Sequence, residues 1–198
     1  MPAPSRPLGV RHAQLFRAAL AAAAALMVTF SQDHSAAVGM AVFSGFALST
    51  SLVLVISAWL VYPAGRRWWV LINAAASFVI GMFASVPALR TPAVFFGLVI
   101  GWAVFTGLWE LIAGLRARGA EGARDQVLTG ALGLLLGLAL ALVPVIPNGN
   151  IEAIIAGVGV FGGYAAIVAV LLGIAGLTPR AGARATTPAV EAEHGGAS

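Results

Sequence analysis

Six apolar runs, each long enough to cross a lipid bilayer as a helix, take up most of this sequence, and only short polar stretches separate them. A hydrocarbon core about 30 Å thick needs about 20 apolar residues of helix. The runs are residues 13–31, 38–62, 68–86, 92–115, 127–146 and 151–177. The second and sixth are long enough to require tilt or overhang. The connections, at 32–37, 63–67, 87–91, 116–126 and 147–150, are too short to let consecutive helices be anything but antiparallel neighbours. The pattern predicts an all-α polytopic bundle, six helices as three antiparallel hairpins. In that division 1–12 is an N-terminal tail and 13–178 the membrane domain. Residues 179–198 form a polar tail with too little apolar surface to fold.

Composition excludes the water-soluble alternative. Hydrophobic residues make up 60% of the chain before its 24 glycines are counted, and charged residues only 9%, against about 25% in soluble domains. The net charge of +4 comes entirely from arginine, since the sequence has no lysine. Those arginines lie at the ends of the apolar runs. No basic stripe interleaved with aromatics is present to hold a nucleic acid. With no cysteine, disulfides and thiolate metal sites are excluded.

The arginines divide by side. Arg6, Arg11, Arg17, Arg66, Arg67, Arg116, Arg118, Arg124, Arg180 and Arg184 fall on the side of the two termini, and Arg90 alone on the other. Arginine in short loops stays cytoplasmic, which predicts both termini inside. Arg66, Arg67, Arg116, Arg118 and Arg124 also offer charge to lipid headgroups. Trp68, Trp69 and Tyr62, with Trp59 close by, mark the same interface. The first run has a second reading, as the charged and apolar regions of a signal peptide with a weak cleavage site near His34-Ser35-Ala36-Ala37. Cleavage would leave five helices and an external N-terminus.

Internal repeats are visible. Arg67 precedes Pro87 by the same interval as Arg124 precedes Pro144, and Ile-Ala-Gly-Leu closes both the fourth run (112–115) and the sixth (174–177). Hairpins 67–116 and 124–180 therefore read as copies of one unit, with 17–63 a diverged third in which Arg17 takes the place of Arg67 and Arg124. The copies share one sense, so the repeat is parallel.

Three stretches carry a resemblance to a known family. They are Phe105-Thr-Gly-Leu-Trp-Glu-Leu-Ile-Ala-Gly-Leu-Arg116, Arg124-Asp-Gln-Val-Leu-Thr-Gly-Ala-Leu-Gly-Leu-Leu-Leu-Gly137 running to Pro144, and Phe161-Gly-Gly-Tyr-Ala-Ala-Ile-Val-Ala-Val-Leu-Leu-Gly-Ile-Ala-Gly-Leu177. A Gly-rich helix ending near a proline, followed by a helix with spaced small residues ending in arginine, resembles the HdeD-like family of small bacterial membrane proteins. The resemblance covers residues 67–180 well and 13–63 poorly. It implies six helices built as three hairpins, no enzyme activity, and in some members a part in acid-stress resistance. It supplies no catalytic residues. The Ala- and Arg-rich, lysine-free composition points to a high-GC bacterium.

Few residues invite chemistry. Glu110 lies inside the fourth run, where a carboxylate is costly and usually faces the bundle or a wet cavity. It reads either as part of a protonatable switch or a proton or ion path or, the preferred reading, as a residue near enough the interface to reach water or to pair with Arg116 or a neighbouring loop arginine. Asn73 lies at similar depth, and a hydrogen bond from it to Glu110 would join the third and fourth helices. Gly97/Gly101, Gly133/Gly137 and Gly159/Gly163 are Gly-x-x-x-Gly pairs, read as packing within the bundle in preference to an oligomer interface. Asn148, Asn150 and Glu152 suit the start of the sixth helix, Asp125 a cap of the fifth, and Glu152 a partner for Arg90. Asp33-His34 is too small a set to bind a metal, and no cofactor is expected. No Ser-His-Asp set, P-loop or dinucleotide motif occurs.

Three functions compete in this order. The first is a non-catalytic, HdeD-like protein of the bacterial cytoplasmic membrane that stabilises the envelope, acts in the acid-stress response or serves a partner, the partner beside the lipid bilayer being a copy of itself or another membrane protein. The second is a small proton, ion or solute transporter or channel using Glu110. The third is a membrane enzyme acting on lipids.

Overall fold

A computed structural model describes residues 9–120, 122–145 and 150–178, the side chain of Asn150 excepted. It contains six long helices: α1 (Val10–Phe30), α2 (Ala36–Leu60), α3 (Ala64–Ser85), α4 (Pro92–Arg116), α5 (Ala123–Leu142) and α6 (Asn150–Leu177). Each is long and apolar enough to cross a membrane. Large apolar side chains cover the outside, among them Phe30, Trp68, Ile151 and Val170. The chain is an integral, multi-pass membrane protein whose surface is made for lipid.

Hydropathy locates the helices to within four residues. The main error is at the starts: α3 begins at Ala64 and α5 at Ala123, ahead of the apolar runs. The helices continue past the hydrocarbon, so Arg66, Arg67 and Arg124 sit on their first turns rather than in loops. Ser35 caps α2 by accepting from the Val38 amide, and Thr91 caps α4 by accepting from Val94. The two prolines of the repeat each set a short 3-10 turn at the far end, Pro87–Leu89 after α3 and Val143–Val145 after α5.

The helices paired as hairpins are not the closest neighbours in space. The tightest packing joins α2 to α3, α4 to α5, and α6 back to α1. The pairs α1/α2, α3/α4 and α5/α6, which form the three hairpins, touch less. The six helices thus form a closed ring in which tight and loose contacts alternate three times, as a three-fold parallel repeat requires. The repeated tetrad shows why. A Cβ on Gly114 would meet the Ala123 carbonyl oxygen and Val127 of α5; one on Gly176 would meet the Arg11 carbonyl oxygen and Leu15 of α1. Both glycines let two backbones close at the arginine-rich end. This match corrects the register expected from the arginines. Arg11 corresponds to Ala123 and Leu15 to Val127, which sets Arg17 against Thr129 rather than Arg124.

The three Gly-x-x-x-Gly pairs divide. Gly133 and Gly137 pack against Ala103, Val104 and Gly107 of α4. Gly97, Gly101, Gly159 and Gly163 face outward, and a Cβ added at any of them would meet no atom within 4 Å. Packing within the bundle is therefore right for one pair and wrong for two. The closest approach is at Gly130, where a Cβ would stand 2.5 Å from the Leu111 amide nitrogen and 2.7 Å from the Gly107 carbonyl oxygen.

The core has two parts. Toward the far end Phe43 meets Trp102 and Phe161 edge to face, with ring centroids 5.5 and 5.6 Å away, and Phe46 meets the same two rings. Toward the arginine-rich end the interior is polar.

Candidate functional site: a buried carboxylate centre

Glu110 faces the interior of the bundle. It lies six residues before the end of α4 (Pro92–Arg116), roughly 10 Å along the helix, and is 9% exposed. Its carboxylate is held by side chains from all three odd-numbered helices. The Arg17 guanidinium of α1 donates to Oε1 at 2.6 Å, Asn73 Nδ2 of α3 donates to Oε1 at 3.0 Å, and the Thr129 hydroxyl of α5 donates to Oε2 at 2.5 Å. The bond from Asn73 is the one that depth alone suggests.

The preferred reading, an interfacial Glu110 reaching water, Arg116 or a neighbouring loop arginine, is right in giving it an arginine and wrong about where, since the partner is Arg17 inside the bundle. Arg116 instead lies over the Trp69 ring, 4.9 Å from its centroid. Glu110 turns inward because Arg17 meets it at equal depth, seven residues into α1 (Val10–Phe30). A carboxylate in hydrocarbon is expensive alone and much less so beside a guanidinium with further donors. Read from sequence, Arg17 falls among the topology charges, and this role is missed. The signal that could have found it is a basic residue two turns inside a helix, at the level of the one intramembrane carboxylate.

A second polar contact supports the first. Gln14, one turn before Arg17, donates from Nε2 to Asp125 Oδ2 on α5. Asp125 is the third residue of α5, whose cap position is Gly122 at φ 78°, so it ties α5 to α1 instead of standing at the cap of its own helix. Thr129 and Asp125 lie one turn apart on α5, as do Arg17 and Gln14 on α1 (with one residue fewer).

The polar strip continues one to two turns toward the far end and stops. Trp102 Nε1 donates to Ser77 at 3.1 Å, and the Thr106 hydroxyl donates to the Trp102 carbonyl at 2.7 Å. Beyond Trp102 come the rings of Phe43, Phe46 and Phe161. Beside Glu110 is a cavity of about 20 Å3, lined among others by Arg17, Thr50, Asn73, Thr106 and Thr129.

The arginine-rich end is ringed by aromatics. Arg67 lies over Trp59 at 5.0 Å and Arg66 over Tyr62 at 5.8 Å. Trp69 packs on Trp109, whose Nε1 donates to the Trp69 carbonyl at 2.6 Å, so Trp69 is only partly an interface anchor. Arg118 and Arg124 are exposed.

At the far end Asp33 is occupied by its own loop, accepting from the Ser35 amide and hydroxyl, and His34 adds no second ligand to it. Among the described residues Arg90 and Glu152 form no ion pair; Arg90 instead borders a groove with Asp33, His34 and Ile151. The expected caps Asn148 and Asn150 depend on side chains outside the described residues. Among the described residues, no three His, Asp or Glu side chains are grouped to hold a metal ion.

Comparison with protein-family models, with curated proteins and with solved structures gives no match.

Proposed function

We propose that this chain is a non-catalytic protein of the bacterial cytoplasmic membrane, with both termini in the cytoplasm, that serves the envelope in the manner of the HdeD-like family. The observation that carries the non-conducting part of this reading is the pair of unlike halves. The polar strip around Glu110 lies toward the arginine-rich end and gives way at the other to the rings of Phe43, Phe46, Trp102 and Phe161. A transport path needs polar atoms through the whole thickness, and the side chains of Phe43, Phe46 and Phe161 interrupt them in the aromatic half. In this reading Glu110 is a fastener: one carboxylate holds α1, α3 and α5 to α4. The orientation rests on the arginine bias, and a reporter fused after Arg184 then reads as cytoplasmic. The HdeD-like reading and the acid-stress role both rest on the sequence resemblance alone.

A small proton or ion transporter is the second reading, favoured by the burial of Glu110 beside a cavity. Flux in proteoliposomes decides between them. The fastener reading predicts no proton or ion flux above empty liposomes for the wild type. Flux that Glu110→Gln abolishes in a folded protein would make transport the function and Glu110 its centre.

A further inference from the structure

Two polar atoms beside Glu110 have no partner among the described residues. Asn73 and Thr50 are each 5% exposed, and both line the 20 Å3 cavity. Asn73 directs its amide hydrogens toward Glu110, which leaves Oδ1 without a donor; the Thr50 hydroxyl on α2 has neither donor nor acceptor. Buried groups of this kind are nearly always satisfied, by protein or by water. A cavity needs roughly 10–15 Å3 to hold one water, and a buried water typically makes about three hydrogen bonds.

We propose that one water molecule is bound in this cavity between Asn73 Oδ1 and Thr50 Oγ1, and that it ties α2 into the carboxylate centre. The water donates to Asn73 Oδ1 and exchanges a hydrogen bond with the Thr50 hydroxyl. Thr106 lines the same cavity, but its hydroxyl proton is committed to the Trp102 carbonyl, so it offers the water an acceptor only. The volume excludes a larger polar solute. A cation is disfavoured by charge: Arg17 already neutralises Glu110, and the unpartnered atoms are neutral oxygens beside a guanidinium. With the water in place, the polar centre fastens α1, α2, α3 and α5 to α4. Without it α2 would carry a buried hydroxyl at a cost.

The water is independent of the function proposed above, and it can be read directly. Water-edited solid-state NMR of the protein in lipid bilayers follows magnetisation from water to Asn73 Cγ and Thr50 Cβ. Transfer to both is expected, with the Asn73 signal falling by more than half in Thr50→Val. Thr50→Val keeps the side-chain shape, so the bundle still folds. It should lower the melting temperature by about 2–4 °C, the scale of one lost hydrogen bond in a chain of this size, and should not lower it in an Asn73→Leu background, where the Thr50 hydroxyl has lost the bridge. No transfer to either carbon, or a Thr50→Val protein as stable as the wild type, would overturn the proposal. So would a melting temperature that rises with sodium over choline, which would put a cation in the cavity.

Discussion

The two halves of this bundle use the same six helices and are held by different forces. Toward the arginine-rich end one carboxylate gathers a guanidinium, an amide and a hydroxyl from three helices. Toward the far end four aromatic rings interlock edge to face with no charge among them. The difference follows from what a membrane supplies. Lipid is as apolar as leucine, so burying apolar area gains little and helices associate by packing and by polar contacts. Aromatic packing is additive and local. A charge centre is cooperative, since removing one partner strands the other.

Substitutions in the two halves should differ accordingly. The largest loss is expected at Arg17. Arg17→Met leaves Glu110 buried without its counter-charge and should cost about 3–5 kcal/mol of stability, read as a collapse of the thermal transition in mild detergent. Phe43→Leu keeps most of the buried volume, removes two edge-to-face contacts and should cost less, roughly 1–3 kcal/mol by the worth of such pairs, with Glu110 undisturbed. A loss at Phe43 equal to that at Arg17 would erase the distinction between the halves. The smallest effect is expected at Gly97, where an added Cβ meets nothing within 4 Å. Gly97→Ala should stay within about 0.5 kcal/mol of the wild type, whereas the same change at Gly130 forces α4 and α5 apart. A large loss at Gly97 in a purified protein would reveal a second copy seated on that face.

Much of this arrangement is legible in the sequence, because the bilayer demands apolar runs of one length and the short loops dictate their order. The repeat is legible too, through Ile-Ala-Gly-Leu at 112–115 and 174–177. The ring closure is not: adjacency in sequence suggests hairpin partners, while Gly114 draws α4 to α5 and Gly176 draws α6 back to α1. Asn73 and Glu110 can be paired from depth alone. Arg17 cannot, since the arginine bias explains every basic residue on that side equally well. The helix start at Val10 sets Arg17 two turns deep, at the level of Glu110. Thr129 and Thr50 carry no signal, because a single hydroxyl in an apolar helix ordinarily bonds back to its own backbone.

The most direct test is a double-mutant cycle between Arg17→Met and Glu110→Gln, followed by thermal unfolding in mild detergent. If the pair is the fastener of the bundle, the double variant is more stable than Arg17→Met alone, and the coupling exceeds about 1 kcal/mol. Single effects that add to within about 0.5 kcal/mol would contradict it, and would mean that Arg17 and Glu110 do not meet in the membrane.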